Sequence, residues 1–301
     1  MKKIIAAVLA LTLIVSIFVM DVYVHKDYKL DKKTGVLTVS GLLDERLVAC
    51  YNKNENVKSI VAAEGCELPE NCIQLFYDVT SKIPNLESID LSKADTSKVK
   101  NACNMFASNE DLKTLILTGM DTSNITNMCG MFRDCRLLEE LDLSSFDTSN
   151  VTTMSGMFEN CSSIEKLDLS GFNTANVIYM SDMFSGCEKL EKVDLSSFDT
   201  SKVESMDNMF SDCRRLQVVD ISSFDTKKNV SVEEMFAFCN VLETIYVNSS
   251  WKTPKKNDRI FISCFKLVGG EGTRFDQNDQ DYLYAKVDNG VDDPGYFTLK
   301  E

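Results

Sequence analysis

The amino-acid sequence predicts an α/β solenoid with a parallel β-sheet on one side, short helices on the other and a cap at each end. Three observations predict it. A pattern of apolar residues recurs every 26 residues, as in LDLSSFDTSNVTTMSGMFENC (141–161) and VDLSSFDTSKVESMDNMFSDC (193–213). Within each copy the apolar spacing changes from that of a strand to that of a helix. Both ends of the array depart from the pattern, as the terminal repeats of a solenoid do.

The composition indicates a folded, acidic protein. The 301 residues are 44% hydrophobic and 26% charged, which is not typical of a disordered chain. The formal net charge is −14 at pH 7, from 46 acidic and 32 basic side chains. Nucleic acids and anionic membrane surfaces attract clustered Lys and Arg, so this charge argues against both as partners.

The N-terminal segment has the pattern of an export signal. Lys2 and Lys3 precede an apolar run from Ile4 to Met20 that contains only two hydroxyl residues. The 17 residues of this run are close to the shortest membrane span, and no Ala-x-Ala cleavage site follows. We therefore expect residues 1–24 to be a cleaved signal peptide or a membrane anchor, the only part of the chain that contacts a membrane. Either form places the remainder outside the cell or at its surface.

Departures from the repeat pattern divide the rest of the chain into three parts. Residues 25–85 are an N-terminal region with a degenerate capping repeat, in which Leu75 and Phe76 match the later Met-Phe pairs. Residues 86–267 hold seven 26-residue repeats. Residues 268–301 are expected to form a C-terminal β capping module, whose short strands flank an Asn289-Gly290 turn and cover the open sheet edge.

The first part of each repeat predicts a strand. In the copy around LDL, Leu138, Leu141 and Leu143 are apolar, and the L-x-L step has the alternation of a strand with one buried face. The first of these positions recurs at a constant interval of 26 residues in Leu86, Leu112, Leu138, Ile164, Leu190, Leu216 and Leu242.

The second part of each repeat predicts a short helix. After the turn residues FDTS, the stretch VxxMxxMFxxC places apolar residues at intervals of 3, 3, 1 and 3. We expect helices to begin near Ser155, Ser181 or Asp207, whose side chains are good N-caps. One such unit cannot bury its apolar side alone, so successive units are expected to stack.

The consensus LxxLDLSxFDTSxVxxMxxMFxxCxx resembles the BspA-like leucine-rich repeat surface proteins of bacteria and some parasitic protists. The phrase FDTSNVTxMxxMFxxC matches one subfamily, whose C-terminal module is similar to LVGGEGTRFD…DYLYAKVDNGVDDPGYFTLK (267–300). The resemblance spans about residues 34–300. It implies a leucine-rich-repeat-like solenoid at the cell surface or secreted, often described as adhesin-like, without naming a ligand.

The cysteines recur at two positions of the repeat. Disulfides between successive coils would need a specific geometry at every coil, and a thiol packs as a small apolar group, so we favour a buried ladder of free thiols for one set: Cys135, Cys161, Cys187, Cys213, Cys239 and Cys264. Cys103 and Cys129 occupy the second position. A disulfide between Cys66 and Cys72 stays open as an alternative. A metal site is not expected, because no CxxC pair or supporting His accompanies these cysteines.

Acidic side chains also recur at two positions. The Asp of DTS is expected to accept hydrogen bonds from the local backbone, with a cation site as the alternative. The strand Asp alternates with buried residues and faces outward together with the nearby lysines. This face is either a solvated surface of alternating charge or a recognition surface for a cationic or hydroxyl-rich ligand. Its candidate residues are Asp142, Lys166, Asp168, Lys192, Asp194, Asp220 and Tyr246.

No pattern in the sequence supports catalysis. The sole histidine, His25, lies beside the export segment, so a Ser-His-Asp or Cys-His arrangement cannot form within the repeats. We therefore predict an exported, non-catalytic protein without a cofactor that binds a protein or a glycan. The alternatives are a structural surface-layer or spacer protein without a specific ligand, and a module that depends on a divalent cation.

Overall fold

The chain winds into a β-solenoid of about eight turns, here called coils. The computed structural model describes residues 27–226, 230–252 and 259–300. Its strands are, in chain order, β1 (Tyr28–Asp31), β2 (Val36–Leu42), β3 (Ser59–Glu67), β4 (Ser88–Asp90), β5 (Thr114–Ile116), β6 (Lys166–Leu167), β7 (Lys192–Val193), β8 (Val218–Asp220), β9 (Thr244–Val247) and β10 (Phe297–Leu299). The predicted leucine-rich-repeat-like solenoid is confirmed.

The strands of successive coils lie side by side on one face of the solenoid, here called the strand face. β2 to β5 pair in order and in parallel, and β1 pairs antiparallel with β2 at the outer edge. β6 pairs with β7, and β8, β9 and β10 form another parallel set. Ile89 lies opposite Leu115 and Val219 opposite Ile245, a shift of 26 residues in both pairs. The sequence repeat is thus the register of the sheet.

The short helices predicted for the repeats are wrong, and with them the α/β layout. The helices in the described residues are α1 (Arg46–Tyr51), α2 (Val79–Lys82) and a 3-10 helix (Tyr282–Tyr284), which all lie outside residues 86–267. At Ser155, Ser181 and Asp207 the chain enters consecutive turns. These turns form the opposite face, here called the turn face, made of residues 153–161 and their equivalents in the other coils.

Left-handed residues prevent a helix on the turn face. In MSGMFENC (154–161), Gly156 and Asn160 have φ values of 61° and 58°, through which a right-handed helix cannot continue. The residues at these two positions of the other repeats are mostly Gly, Asn and Asp, which adopt this conformation at the lowest cost. They include Asn104, Ser108, Gly130, Asp134, Asp182, Gly186, Asn208 and Asp212.

The backbone N–H groups of the turn face alternate between two kinds of partner. The Met157 N–H donates within its coil to the Met154 carbonyl, at 3.1 Å. The Phe158 N–H donates to the Met183 carbonyl of the next coil, at 3.0 Å. Because every second N–H bonds to the neighbouring coil, it is not free to donate to the i−4 carbonyl of a helix. The turn face is therefore bonded from coil to coil, as the strand face is.

A column of stacked phenylalanine rings forms the centre of the core. Neighbouring ring centroids lie 5.4–6.1 Å apart, with interplanar angles of 2–16°. The column consists of Phe76, Phe106, Phe132, Phe158, Phe184, Phe210, Phe236 and Phe261, all fully buried. The predicted leucine series from Leu86 to Leu242 lines the strand side of this core, and its members are at most 1% exposed.

The C-terminal segment extends the solenoid by one more strand. β10 runs parallel to β9, while Tyr296 and Phe297 close the phenylalanine column edge-on against Phe261, at 86° and 72°. The predicted pair of strands around Asn289-Gly290 is wrong, since the 3-10 helix occupies Tyr282–Tyr284 and Val287 meets Phe297 in a single parallel bridge. A two-residue turn joins only antiparallel strands, whereas β10 must run with the coil strands. The capping role of both ends stays a prediction.

The predicted export segment, residues 1–24, and His25 lie outside the described residues. Within the ranges that are described, none of the helices combines the length and apolar character that a membrane span requires.

Candidate ligand-binding face

A ladder of buried threonines fixes the register of the coils beside the strand face. The Thr148 hydroxyl donates to the Asn173 carbonyl at 3.0 Å and accepts from the Asn173 N–H at 2.8 Å. One side chain thereby satisfies both backbone groups of a residue in the next coil. The same pair of bonds is made by Thr96, Thr122, Thr148, Thr174, Thr200 and Thr226. The sequence did not lead us to predict this role, although the repeated Thr of DTS was its signal.

The Asp of DTS serves the local backbone, as predicted. The Asp147 carboxylate accepts a hydrogen bond from the Ser149 N–H at 2.9 Å, and Asn173 makes the same contact with the Ala175 N–H through its amide oxygen. Among the described residues, no group of three or more His, Cys, Asp or Glu side chains is placed to hold a metal ion. The second Asp column, on the strand face, has the same local geometry.

Three aspartates of the candidate set stand exposed on the strand face. Asp142, Asp168 and Asp194 each accept a hydrogen bond from the N–H two residues later, at 2.9–3.0 Å. Hydrogen bonds from the Ser170 hydroxyl and N–H lower the pKa of Asp168 below its usual range. Hydrogen bonds from Ser196 do the same for Asp194, although the charges of Asp168 and Asp220 oppose that shift. These carboxylates are therefore ionised at neutral pH and fixed in orientation.

The two lysines of the candidate set form a second stripe beside the aspartates. Lys166 and Lys192 lie directly opposite each other in the register of β6 and β7, and both are exposed. Opposite charges therefore alternate along these two coils, Lys166 with Asp168 and Lys192 with Asp194, but like charges are neighbours across the coils. In the described part of the chain neither lysine makes an ion pair.

Asp220 and Tyr246 lie at the C-terminal end of the face and are half-buried. They are opposite each other in the register of β8 and β9. Burial raises the pKa of Asp220, but its hydrogen bonds with the Lys300 ammonium and with Ser222 outweigh burial and leave that pKa lowered. Lys300 ion-pairs with Asp220 and was not predicted to belong to this face, because it lies 80 residues further along the chain.

Three seams interrupt the strand face. Across the described residues no backbone hydrogen bond joins β5 to residues 139–143, those residues to β6, or β7 to β8. A groove lies over each seam, with volumes of 530, 280 and 390 Å³ in that order. The third groove brings together Lys192, Asp194, Asp220 and Lys300. Backbone and charged groups along these grooves can bind a ligand with many hydroxyl or amide groups.

Other charged side chains of the solenoid bond from coil to coil. Arg133 contacts Glu159 at 2.8 Å and Lys113 contacts Glu87 at 2.8 Å, each across 26 residues. Each such ion pair contributes little to the free energy of unfolding, but together the pairs neutralise charges on neighbouring coils. Within the part of the chain that the structure describes, Lys166, Lys192 and the exposed aspartates of the strand face make no such ion pairs.

The buried thiols form the predicted ladder. The Cys161 thiol donates to the Phe132 carbonyl of the preceding coil at 3.1 Å, and its equivalents do likewise. Burial raises the pKa of Cys135 to about 12, so its thiol stays protonated. Cys66 and Cys72, for which a disulfide was left open, are separate buried thiols, and burial raises their pKa values to about 11 and about 12.

Comparisons with solved structures give low similarity scores. A leucine-rich cell surface protein from Faecalibacterium prausnitzii is 15% identical, with 80% of this chain and 91% of that chain covered and a TM-score of 0.31. A leucine-rich repeat protein from Bacteroides ovatus is 17% identical over the same shares, with a TM-score of 0.29. The TLR13–ssRNA13 complex is 15% identical over 76% of this chain and 41% of that chain, with a TM-score of 0.29. No curated protein matches the sequence.

A family profile matches two overlapping stretches, residues 70–167 and 160–266. Together they span about two thirds of the chain and most of the 26-residue repeats. This match confirms the resemblance to BspA-like leucine-rich repeat proteins that the repeat motif indicated. The chain belongs to the family described as Mycoplasma protein of unknown function, DUF285.

Proposed function

We propose that the chain is an exported, non-catalytic surface protein that binds a protein or a glycan through its strand face. The ligand presents cationic or hydroxyl groups to Asp142, Asp168 and Asp194, here called the aspartate stripe. The observation that carries this proposal is that Asp142, Asp168, Asp194 and the two lysines make no ion pair between coils within the described ranges, whereas many charges elsewhere do.

The geometry of the aspartates supports binding. Each carboxylate of Asp142, Asp168 and Asp194 uses one oxygen, Oδ1, for its local turn. The other oxygen faces solvent and can accept from a ligand hydroxyl or ammonium group. Because the turn holds the carboxylate in place, little side-chain entropy is lost when a ligand binds.

A repeated face suits an extended ligand. Hydrogen-bonded coils, such as those of β6 and β7, set equivalent groups about 5 Å apart, so a linear chain of sugars or an extended peptide can meet the same groups in more than one coil. Each contact alone is weak in water, and repetition of weak contacts within one ligand raises the overall affinity.

The test is binding by a variant in which Asp142, Asp168 and Asp194 are changed to Asn. Asparagine keeps the Oδ1 acceptor of the turn, as Asn173 does naturally in the DTS column, and removes only the charge. A glycan array and a pull-down from a cell-surface protein extract are probed with the wild-type protein and the variant. We expect partners of the wild-type protein to bind the variant at least tenfold more weakly.

A matched control changes Glu110, Glu188 and Glu191 to Gln. These substitutions change the net charge by the same three units. The three glutamates lie in coil-to-coil ion pairs and are not part of the aspartate stripe. If both variants bind like the wild-type protein, the aspartate stripe is not the binding surface. Self-association without any partner would instead support the structural surface-layer role.

A further inference from the structure

Cys103 and Cys129 occupy the same position in adjacent coils of the turn face. Asn101 and Asn127 form a parallel bridge just before them, and the Asn104 N–H donates to the Cys129 carbonyl at 2.8 Å. Both cysteines therefore lie in register. Paired strand residues are about 4.8 Å apart, which is within the span of about 4.4–6.8 Å between the Cα atoms of a disulfide.

The local geometry of the two cysteines is the same. The Cys103 N–H donates to the Asn101 side chain at 3.0 Å, and the Cys129 N–H donates to the Asn127 side chain at 2.9 Å. The two side chains consequently leave the turn face in the same direction. Burial, together with the charge and the hydrogen bond of the neighbouring Cys103 thiol, raises the pKa of Cys129 to about 11. The register of the two coils thus makes the two thiols neighbours on the turn face.

Exposure distinguishes this pair from the buried ladder. Cys103 and Cys129 are partly exposed, whereas Cys135 and its equivalents are fully buried and donate to phenylalanine carbonyls. In thiol–disulfide exchange, the cysteine sulfur attacks the oxidant along the axis of the oxidant's S–S bond, so the oxidant must approach that sulfur closely. Such a reagent can reach the pair on the turn face but not the thiols in the core.

We propose that Cys103 and Cys129 are a modification site, at which a disulfide oxidant cross-links two adjacent coils. One thiolate attacks the oxidant's disulfide, forms a mixed disulfide and releases one thiol of the oxidant. The second cysteine then attacks the mixed disulfide as a thiolate, forms the Cys103–Cys129 bond and releases the second thiol. Two electrons pass to the oxidant, and the protons of the two cysteines pass to its thiols. The physiological setting rests on the proposed surface location, but the chemistry does not.

The sequence makes the cross-link easy to detect. Trypsin cuts after Lys100, Lys113 and Arg133, so residues 101–113 and 114–133 each contain one cysteine. The purified full chain is treated with oxidised glutathione at pH 8, alkylated and digested without reduction. Mass spectrometry is expected to find the two peptides joined and to find their separate alkylated forms depleted at least tenfold. Separate peptides that are alkylated or carry glutathione would overturn the proposal.

Two variants control for geometry. In Cys103→Ser, the joined peptide should vanish and Cys129 should carry glutathione. Ser155 and Ser181 continue the same column, so a Cys103→Ser, Cys129→Ser, Ser155→Cys, Ser181→Cys variant should cross-link at its new pair. If that variant cross-links and the wild-type protein does not, the proposal is wrong. The assay contains no ligand, so its result is independent of binding by the strand face.

Discussion

The Thr148 hydroxyl bonds to both backbone groups of Asn173, donating to the carbonyl at 3.0 Å and accepting from the N–H at 2.8 Å. Asn173 lies 25 residues later, in the next coil. The contact replaces a pair of sheet hydrogen bonds at a point where the chain turns from the strand face toward the turn face. Repeated along the solenoid, it explains why Thr recurs in DTS.

Replacing Thr148 by Val should destabilise the protein. Valine has nearly the same shape but no hydroxyl, so the Asn173 N–H and carbonyl lose their partner. We expect the free energy of unfolding to fall by about 1–3 kcal/mol, measured by urea denaturation. Thr148→Ser keeps the hydroxyl and should lose at most about 1 kcal/mol, the value of one buried methyl group. Equal losses in both variants would contradict the hydrogen-bonding role.

Gly156 should be sensitive to substitution because of its backbone conformation. Its φ is 61°, and a left-handed conformation costs a residue with a Cβ about 1–2 kcal/mol. We expect Gly156→Ala to lower the free energy of unfolding by about that amount.

Gly171 provides the matched control for Gly156. Its φ lies outside the left-handed range, and an added Cβ would meet no atom within 4 Å. Gly171→Ala should therefore be neutral or should stabilise by up to about 1 kcal/mol, because it restricts the unfolded chain. If the two alanine variants have the same midpoint of urea denaturation, backbone handedness does not explain why the turn face lacks helices.

The stacked phenylalanine column predicts a large loss of stability when Phe184 is replaced by alanine. Its ring lies between those of Phe158 and Phe210, at 5.8 and 5.5 Å between centroids, and is fully buried. Phe184→Ala should cost about 3–5 kcal/mol of unfolding free energy, since the cavity cannot close between rigid coils. Phe265 is 65% exposed and its ring makes an edge-to-face contact with Phe275, so Phe265→Ala should cost at most about 1 kcal/mol. Similar losses at both sites would show that the column is not the centre of stability.

The sequence predicted those parts of the fold that depend on a periodic pattern. The leucine series, the parallel register, the thiol ladder and the local bonds of the DTS aspartates all follow from equivalent residues in equivalent places. The helix prediction failed because intervals of 3 between apolar residues also fit consecutive turns. The distinguishing signal was Gly156 and Asn160, since Gly and Asn four residues apart mark left-handed positions.

The candidate face was predictable in part. Alternation with buried leucines was enough to place Asp142, Asp168 and Asp194 outward. Lys300 and the three seams were not predictable, because they depend on contacts between coils and on the path of the C-terminal segment. Local patterns carry no information about either.

The strand-face aspartates predict a specific loss of stability in acid. Their hydrogen bonds hold the pKa values of Asp142, Asp168 and Asp194 below the usual range. A carboxyl with a lowered folded pKa binds fewer protons in the folded chain, so its stabilisation is present above the unfolded pKa of about 4. It is lost as pH falls through the folded pKa. The midpoint of urea denaturation should therefore decrease between pH 5 and pH 3.

Part of this decrease belongs to the three aspartates and can be isolated. In the variant with Asn at Asp142, Asp168 and Asp194, these groups no longer titrate, so the decrease between pH 5 and pH 3 should be smaller. The variant with Gln at Glu110, Glu188 and Glu191 keeps the aspartate turns and should retain more of the decrease. An unchanged decrease in the asparagine variant would mean that the turns hold the carboxyl and carboxylate forms equally well. The local hydrogen bonds would then not favour the charged aspartates that the proposed binding surface requires.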